Sequence, residues 1–120
     1  MARKLMRLKR SEEFDACYSQ GRVYKSYVAV LHVLPNDLPY TRVGFSVSKR
    51  IGTAVRRNLV RRRLQAIVQG LDLLPGYDVV VAARVRARDL PFAELSKGVV
   101  ALFRRAGLLA RASEVREGGA

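Results

Sequence analysis

The stretch RVGFSVSKRIGTAVRRNLVRRRLQAI, residues 42–67, changes its period halfway along. In its first third Val43, Phe45 and Val47 alternate with Gly44, Ser46 and Ser48, which predicts a half-buried strand. Gly52 follows as a pivot. From Ala54 onward the spacing becomes helical: Val60, Leu64, Ile67, Val68 and Leu71 fall within about 100° of arc on a helix of roughly 54–69 that stops near Gly70. Arg62, Asn58 and Gln69 lie opposite this stripe. Arg56, Arg57, Arg61 and Arg63 flank it, and Leu59 falls off it.

The helix carries five arginines in eight consecutive positions, Arg56 to Arg63. Like charges one turn apart destabilise a helix by about 0.2–0.5 kcal/mol per pair, so the reason for this charge lies outside the helix. Acidic residues are absent from Leu38 to Leu71, a window holding Arg42, Lys49, Arg50 and the five helix arginines. A solvated, salt-bridged helix would intersperse glutamates. A phosphate-binding face would exclude them, and the guanidinium fork matches two phosphate oxygens. The whole chain, 120 residues with a net charge of +13, calls for a polyanionic partner, nucleic acid before an anionic membrane surface. Its 49% apolar content supports a packed core and excludes a disordered basic tail.

Outward from that stretch, RSEEFDACYSQG (10–21) reads as a short helix with Ser11 as N-cap, Gly21 as stop, and Phe14, Cys17 and Tyr18 on one face. SYVAVLHVL (26–34) reads as a strand ending at Pro35. PNDLPY (35–40) is a turn that makes the strand from Thr41 its hairpin partner. The unbroken run Val79–Ala83 predicts a strand covered on both faces. DLPFAELSKGVVALFRRAGLL (89–109) reads as a helix with Pro91 in its first turn and an apolar face of Phe92, Leu95, Val99, Leu102 and Phe103. The order α-β-β-α-β-α predicts one α+β domain, an α/β sandwich of a central sheet with packed helices, over residues 1–112 and a frayed tail at 113–120.

Several functions are excluded. One cysteine, Cys17, and one histidine, His32, permit neither a disulfide nor a zinc site. Taken alone, His32 reads as a packed or surface histidine and Cys17 as a small buried hydrophobe. The carboxylates are scattered, whereas a two-metal nuclease needs them clustered, so no catalytic residue and no metal ligand is expected in the protein. No apolar run reaches the roughly 20 residues of a membrane span, and MARKLMRLKR lacks a signal-peptide core. The strands argue against an all-helical DNA reader. Phe14, Tyr18, Tyr24 and Tyr27 are candidates to stack on unpaired bases, with core packing the competing reading for Phe14.

The spacing Val43-Gly44-Phe45-Ser46-Val47-Ser48-Lys49, Gly52, Ala54-Val55, Arg57-Asn58, Arg61-Arg62 resembles the signature of the bacterial ribonuclease P protein component. Arg7-Leu8, Phe14, Tyr18 and Gly21, then YDVVVAAR (77–84) and LFRRAGLL (102–109), extend the resemblance over about 5–109. It implies a left-handed βαβ crossover, against the general right-handed rule. It also implies a cytoplasmic ribonucleoprotein endonuclease that removes the 5′ leader of precursor tRNA, its RNA subunit being the catalyst and holding most of the Mg2+. By the same resemblance Lys49, Arg50, Arg57, Asn58, Arg61 and Arg62 contact the RNA subunit, joined by Arg56 and Arg63 at positions where the family is less consistently basic, and Phe14, Tyr18 and His32 form a leader-binding cleft between the first helix and the sheet. Leu59, Gln65 and His32 depart from the family pattern, where Arg, Arg and Tyr or Phe are usual. Neither a membrane partner nor a homo-oligomer is expected. The alternative is a basic ribosomal-type RNA-binding protein with no part in cleavage.

Overall fold

The computed structural model describes residues 5–110; the expected tail at 113–120 lies outside them. Five strands form one sheet: β1 (Met6–Arg7), β2 (Arg22–Lys25), β3 (Ala29–Pro35), β4 (Arg42–Ser46) and β5 (Tyr77–Ala83), in the order β1-β4-β5-β3-β2. Three helices pack on it: α1 (Ser11–Gln20), α2 (Ala54–Gln69) and α3 (Phe92–Arg105). The predicted order of helices and strands is therefore present, with two short edge strands added. β2 carries Arg22 and Lys25, charges that discourage further pairing at an outer edge.

The expected hairpin between β3 and β4 does not form. β5 inserts between them, antiparallel to β3 and parallel to β4. The reason is burial: Val79, Val80 and Val81 are all fully buried, and only the central position covers such a strand on both faces and both edges. The linker after Pro35 therefore spans two strand spacings, about 10 Å, instead of making a tight turn.

Residues opposite each other across the strands form rows that alternate between the two faces. Val33, Val79 and Val43 form one row, Leu31, Val81 and Phe45 another. Both belong to the main core, where α2 contributes Val60, Leu64, Ile67 and Val68 and α3 contributes Leu95, Val99, Leu102 and Phe103. The row His32, Val80 and Gly44 faces the other way, toward α1. There Val80 packs with Leu8 and Cys17 in a smaller core bordered by Phe14 and Leu34.

Some local expectations shift. Arg10 precedes α1 as its cap residue and Ser11 is the first helical residue. Glu13 accounts for this by reaching back to accept the Lys9 and Arg10 N–H groups at 2.9 and 3.1 Å. α3 is shorter than predicted because Pro91, at ψ 152°, stands before the helix as its cap residue instead of in its first turn, and Gly107, at φ 74°, ends the last turn. Phe92 is exposed instead of joining the apolar face, and Leu71 is only half-buried. Gly98 has a packing reason: a Cβ there would stand 2.8 Å from a methyl of Val28.

Candidate RNA-binding surfaces

The start of α2 is set by its capping chemistry. Gly52 adopts φ 143°, a conformation that side chains rarely take, and Thr53 accepts the Arg56 N–H at 3.3 Å. Lys49 and Arg50 sit exposed in the 3-10 turn just before, Lys49–Ile51. With the apolar stripe buried, Arg56 and Arg62 point outward, while Arg57, Arg61 and Arg63 are half-buried along its flanks. Their partners are neutral. Arg57 donates to the Gly52 carbonyl at 3.3 Å, Arg61 to Asn58 Oδ1 at 3.0 Å and Arg63 to the Leu90 carbonyl at 3.4 Å. Ion pairs among the described residues go instead to Arg42 and Arg88. The helix arginines are thus positioned without a carboxylate partner among the described residues.

Arg42 leaves the free basic set. Its guanidinium makes a bidentate pair with buried Asp78 at 2.8 and 2.7 Å and reaches Glu13 Oε2 at 3.0 Å, while Asn36 also donates to Asp78 at 2.8 Å. The Asp78 hydrogen bond raises the Arg42 pKa further above its ordinary value. Backbone N–H donors from Lys9 and Arg10, with Arg42 assisting, hold Glu13 below the ordinary carboxylate value. This cluster ties α1 to the sheet and serves the fold.

The structure brings Phe14, Tyr18 and His32 onto one face. Tyr18 meets His32 edge-on, with ring centroids 4.8 Å apart and planes at 82°. One turn earlier the Phe14 ring lies over Gly44, so close that a Cβ there would come within 2.4 Å of its Cζ. His32 and Gly44 stand on the two strands that flank β5, opposite Val80 in one cross-strand row, so the aromatics bracket a strip about 10 Å wide. The next row on this face, Val30, Ala82 and Ser46, is half-exposed and forms an open floor. Tyr18, 43% exposed, and the half-buried Phe14 offer ring surface to it. Burial lowers the His32 pKa, and its buried Nδ1 has no hydrogen-bond partner, both of which favour the neutral ring. Cys17 lies beneath, donating to the Asp78 carbonyl at 3.6 Å, its pKa pushed up to about 11 by burial. Tyr24 packs partly into the main core, whereas Tyr27 is 49% exposed.

No cluster of three or more His, Cys, Asp or Glu side chains able to hold a metal occurs among the described residues. The family model described as Ribonuclease P matches residues 2–107. The chain belongs to the ribonuclease P protein family. It is 45% identical to the ribonuclease P protein component of Symbiobacterium thermophilum over 112 residues, covering 91% of this chain and 97% of that one. With the Dehalococcoides mccartyi ribonuclease P protein component it shares 38% identity over 108 residues, 90% of each chain. The solved Staphylococcus aureus RNase P protein superposes with a TM-score of 0.80 at 26% identity, covering 89% of this chain and all of that one.

Within this ribonuclease P fold the two predicted residue groups sit on opposite faces of the sheet, α2 below and the aromatic strip above. Sequence reasoning overlooked Arg84 and Arg86. Both are exposed, at the end of β5 and in the 3-10 turn that follows it. That turn docks beside Lys49–Ile51 through Arg88, which donates to the Ile51 carbonyl at 3.0 Å. Because β4 and β5 run parallel, Arg84 and Arg86 join Lys49 and Arg50 at one end of the sheet. The sequence signal was the alternating RVRARD (84–89), which gains meaning only once β5 is placed beside β4.

Proposed function

We propose that this chain is the protein subunit of ribonuclease P, binding the catalytic RNA subunit through the α2 region and the 5′ leader of precursor tRNA through the aromatic cleft. Family membership, joined to an arginine helix without ion pairs among the described residues, carries the reading. Lys49, Arg50, Arg56, Arg57, Arg61, Arg62 and Arg63 contribute phosphate contacts, with Asn58 orienting Arg61. Phe14 and Tyr18 stack on leader bases, and neutral His32 shapes the wall beside them. Hydrolysis is supplied by the RNA subunit with the Mg2+ it mainly holds, and no step is assigned to a metal on this protein. The complex works in the cytoplasm, consistent with the absence, among the described residues, of any helix able to cross a membrane.

The direct test is cleavage of a precursor tRNA at low Mg2+ by the cognate RNA with and without this protein. Stimulation by the protein, with no cleavage by the protein alone, is expected. Tight RNA binding without stimulation would instead identify a structural RNA-binding protein.

A further inference from the structure

The two surfaces approach each other at an open edge of the sheet. β1 has only two residues, and its ladder with β4 ends where the Leu8 N–H donates to the Val43 carbonyl at 3.2 Å. Beyond that point the outer edge of β4 at Gly44 and Phe45 borders a groove of about 340 Å³. Arg7 and Lys9 form one wall, Arg61 and Gln65 of α2 another, and Phe14 contributes from the cleft side. Arg7 pairs with Val43 and so shares the face that α2 covers.

Among the described residues no carboxylate lines this groove. Glu13, the acid that accepts the Lys9 N–H, is occupied by two backbone N–H groups and Arg42. Arg61 reaches only a neutral amide oxygen. Arg7 and Lys9 are exposed and take no part in an ion pair among the described residues. Three cations thus converge on one recess with no carboxylate among the described residues paired to them, an arrangement that suits an anion with oxygens on several sides.

We infer that this groove at the free edge of β4 binds a backbone phosphodiester of the precursor's leader between Arg7, Lys9 and Arg61. The inference rests on the leader reading of the aromatic cleft. Phe14 belongs to both sites, so a base stacked on it carries its own sugar-phosphate to the groove. The groove joins the cleft to the arginine helix, which lie on opposite faces of the sheet.

The test uses the reconstituted holoenzyme with the double variant Arg7→Gln/Lys9→Gln, which alters only exposed side chains. Affinities for precursor tRNA, mature tRNA and the isolated RNA subunit are measured across a salt series. The expected result is severalfold weaker precursor binding, with the slope of log affinity against log salt shallower by about 0.7 for each single-strand phosphate left without its cation. Mature tRNA and RNA-subunit affinities stay unchanged. Unchanged precursor affinity and slope would overturn the proposal. A loss confined to RNA-subunit affinity would also overturn it, assigning the phosphate to the RNA subunit. Tyr18→Ala, measured in parallel, separates the two readings: if it weakens precursor binding while the double variant does not, the groove fails and the cleft stands. If Tyr18→Ala has no effect, the cleft reading fails on its own.

Discussion

Gly44→Ala adds one methyl group to the floor of the cleft, and the structure specifies what it meets. The new carbon would stand 2.4 Å from Phe14 Cζ, 2.6 Å from Phe14 Cε2 and 3.1 Å from Leu8 Cδ1. Carbon contacts settle at about 3.5–4.0 Å, so the Phe14 ring must retreat by about 1 Å. It has little room, because α1 is held one turn later by fully buried Cys17 and at its start by the Glu13–Arg42 bridge. Overpacking of this kind costs about 1–3 kcal/mol of stability. The retreat also lifts the ring from the position in which it would stack, and a stacked base is worth about 1–3 kcal/mol. The variant is therefore expected to unfold at lower urea and, as holoenzyme, to bind precursor tRNA more weakly with mature tRNA affinity unchanged. Placing Phe14→Leu in the same chain removes the ring atoms that clash. The stability cost of Gly44→Ala should then shrink by more than half while leader affinity stays low. An equal stability cost in both backgrounds would refute the ring-over-glycine account, because the two changes would then be independent.

Three further outcomes follow from the same geometry. Arg61→Ala/Arg62→Ala should weaken RNA-subunit binding and lower its salt slope by about 1 for each phosphate no longer neutralised; an unchanged slope removes the phosphate assignment. Asp78→Asn removes the bidentate pair at a buried position and leaves Arg42 with Glu13 as its remaining carboxylate partner, so it should cost about 2 kcal/mol in urea unfolding, whereas a loss below about 0.5 kcal/mol would show the cluster to be incidental. Cys17 should resist thiol reagents in the native protein. Its pKa is raised from 9.0 to about 11, so above pH 9 the unfolded chain loses the thiol proton first. The stability of the native chain relative to Cys17→Ala should therefore be constant below pH 9 and fall as the pH rises toward about 11, and a flat difference across that window contradicts the burial account.

Much of this was legible in the sequence. The core stripe of α2 followed from spacing alone, since a 3.6-residue period leaves little freedom in which side chains face inward. The uninterrupted Val79–Ala83 run announced a strand covered on both faces, which holds for Val79–Val81, whereas Ala82 and Ala83 are half-exposed. Segregated charge is what proposes α2 as a surface for a polyanion, because neighbouring carboxylates would be the simplest remedy for its repulsion and none pairs with its arginines among the described residues. The hairpin expectation failed because turn chemistry at Pro35–Tyr40 is local, while the competition for the centre of the sheet is decided by how much of each strand must be covered. Phe14 stayed ambiguous between core and cleft for a physical reason: its ring is half-buried, and Gly44 gives it a seat on the sheet.

Arg42 shows the boundary most clearly. In the sequence it is one of eight cations in a window without acids, indistinguishable from its neighbours. Across the sheet it lies opposite Asp78, 36 residues away, and beneath Glu13, 29 residues away, and it becomes a structural ion pair. Periodicity, capping residues and charge segregation are properties of neighbouring positions, so the sequence by itself determined the main helices, the core stripe and the kind of partner. Strand order, the pairing of Tyr18 with His32, the addition of Arg84 and Arg86 and the groove shared by Phe14 and Arg61 join residues distant along the chain. Only the tertiary structure decided them, because they depend on which strands compete successfully for burial at the centre of the sheet.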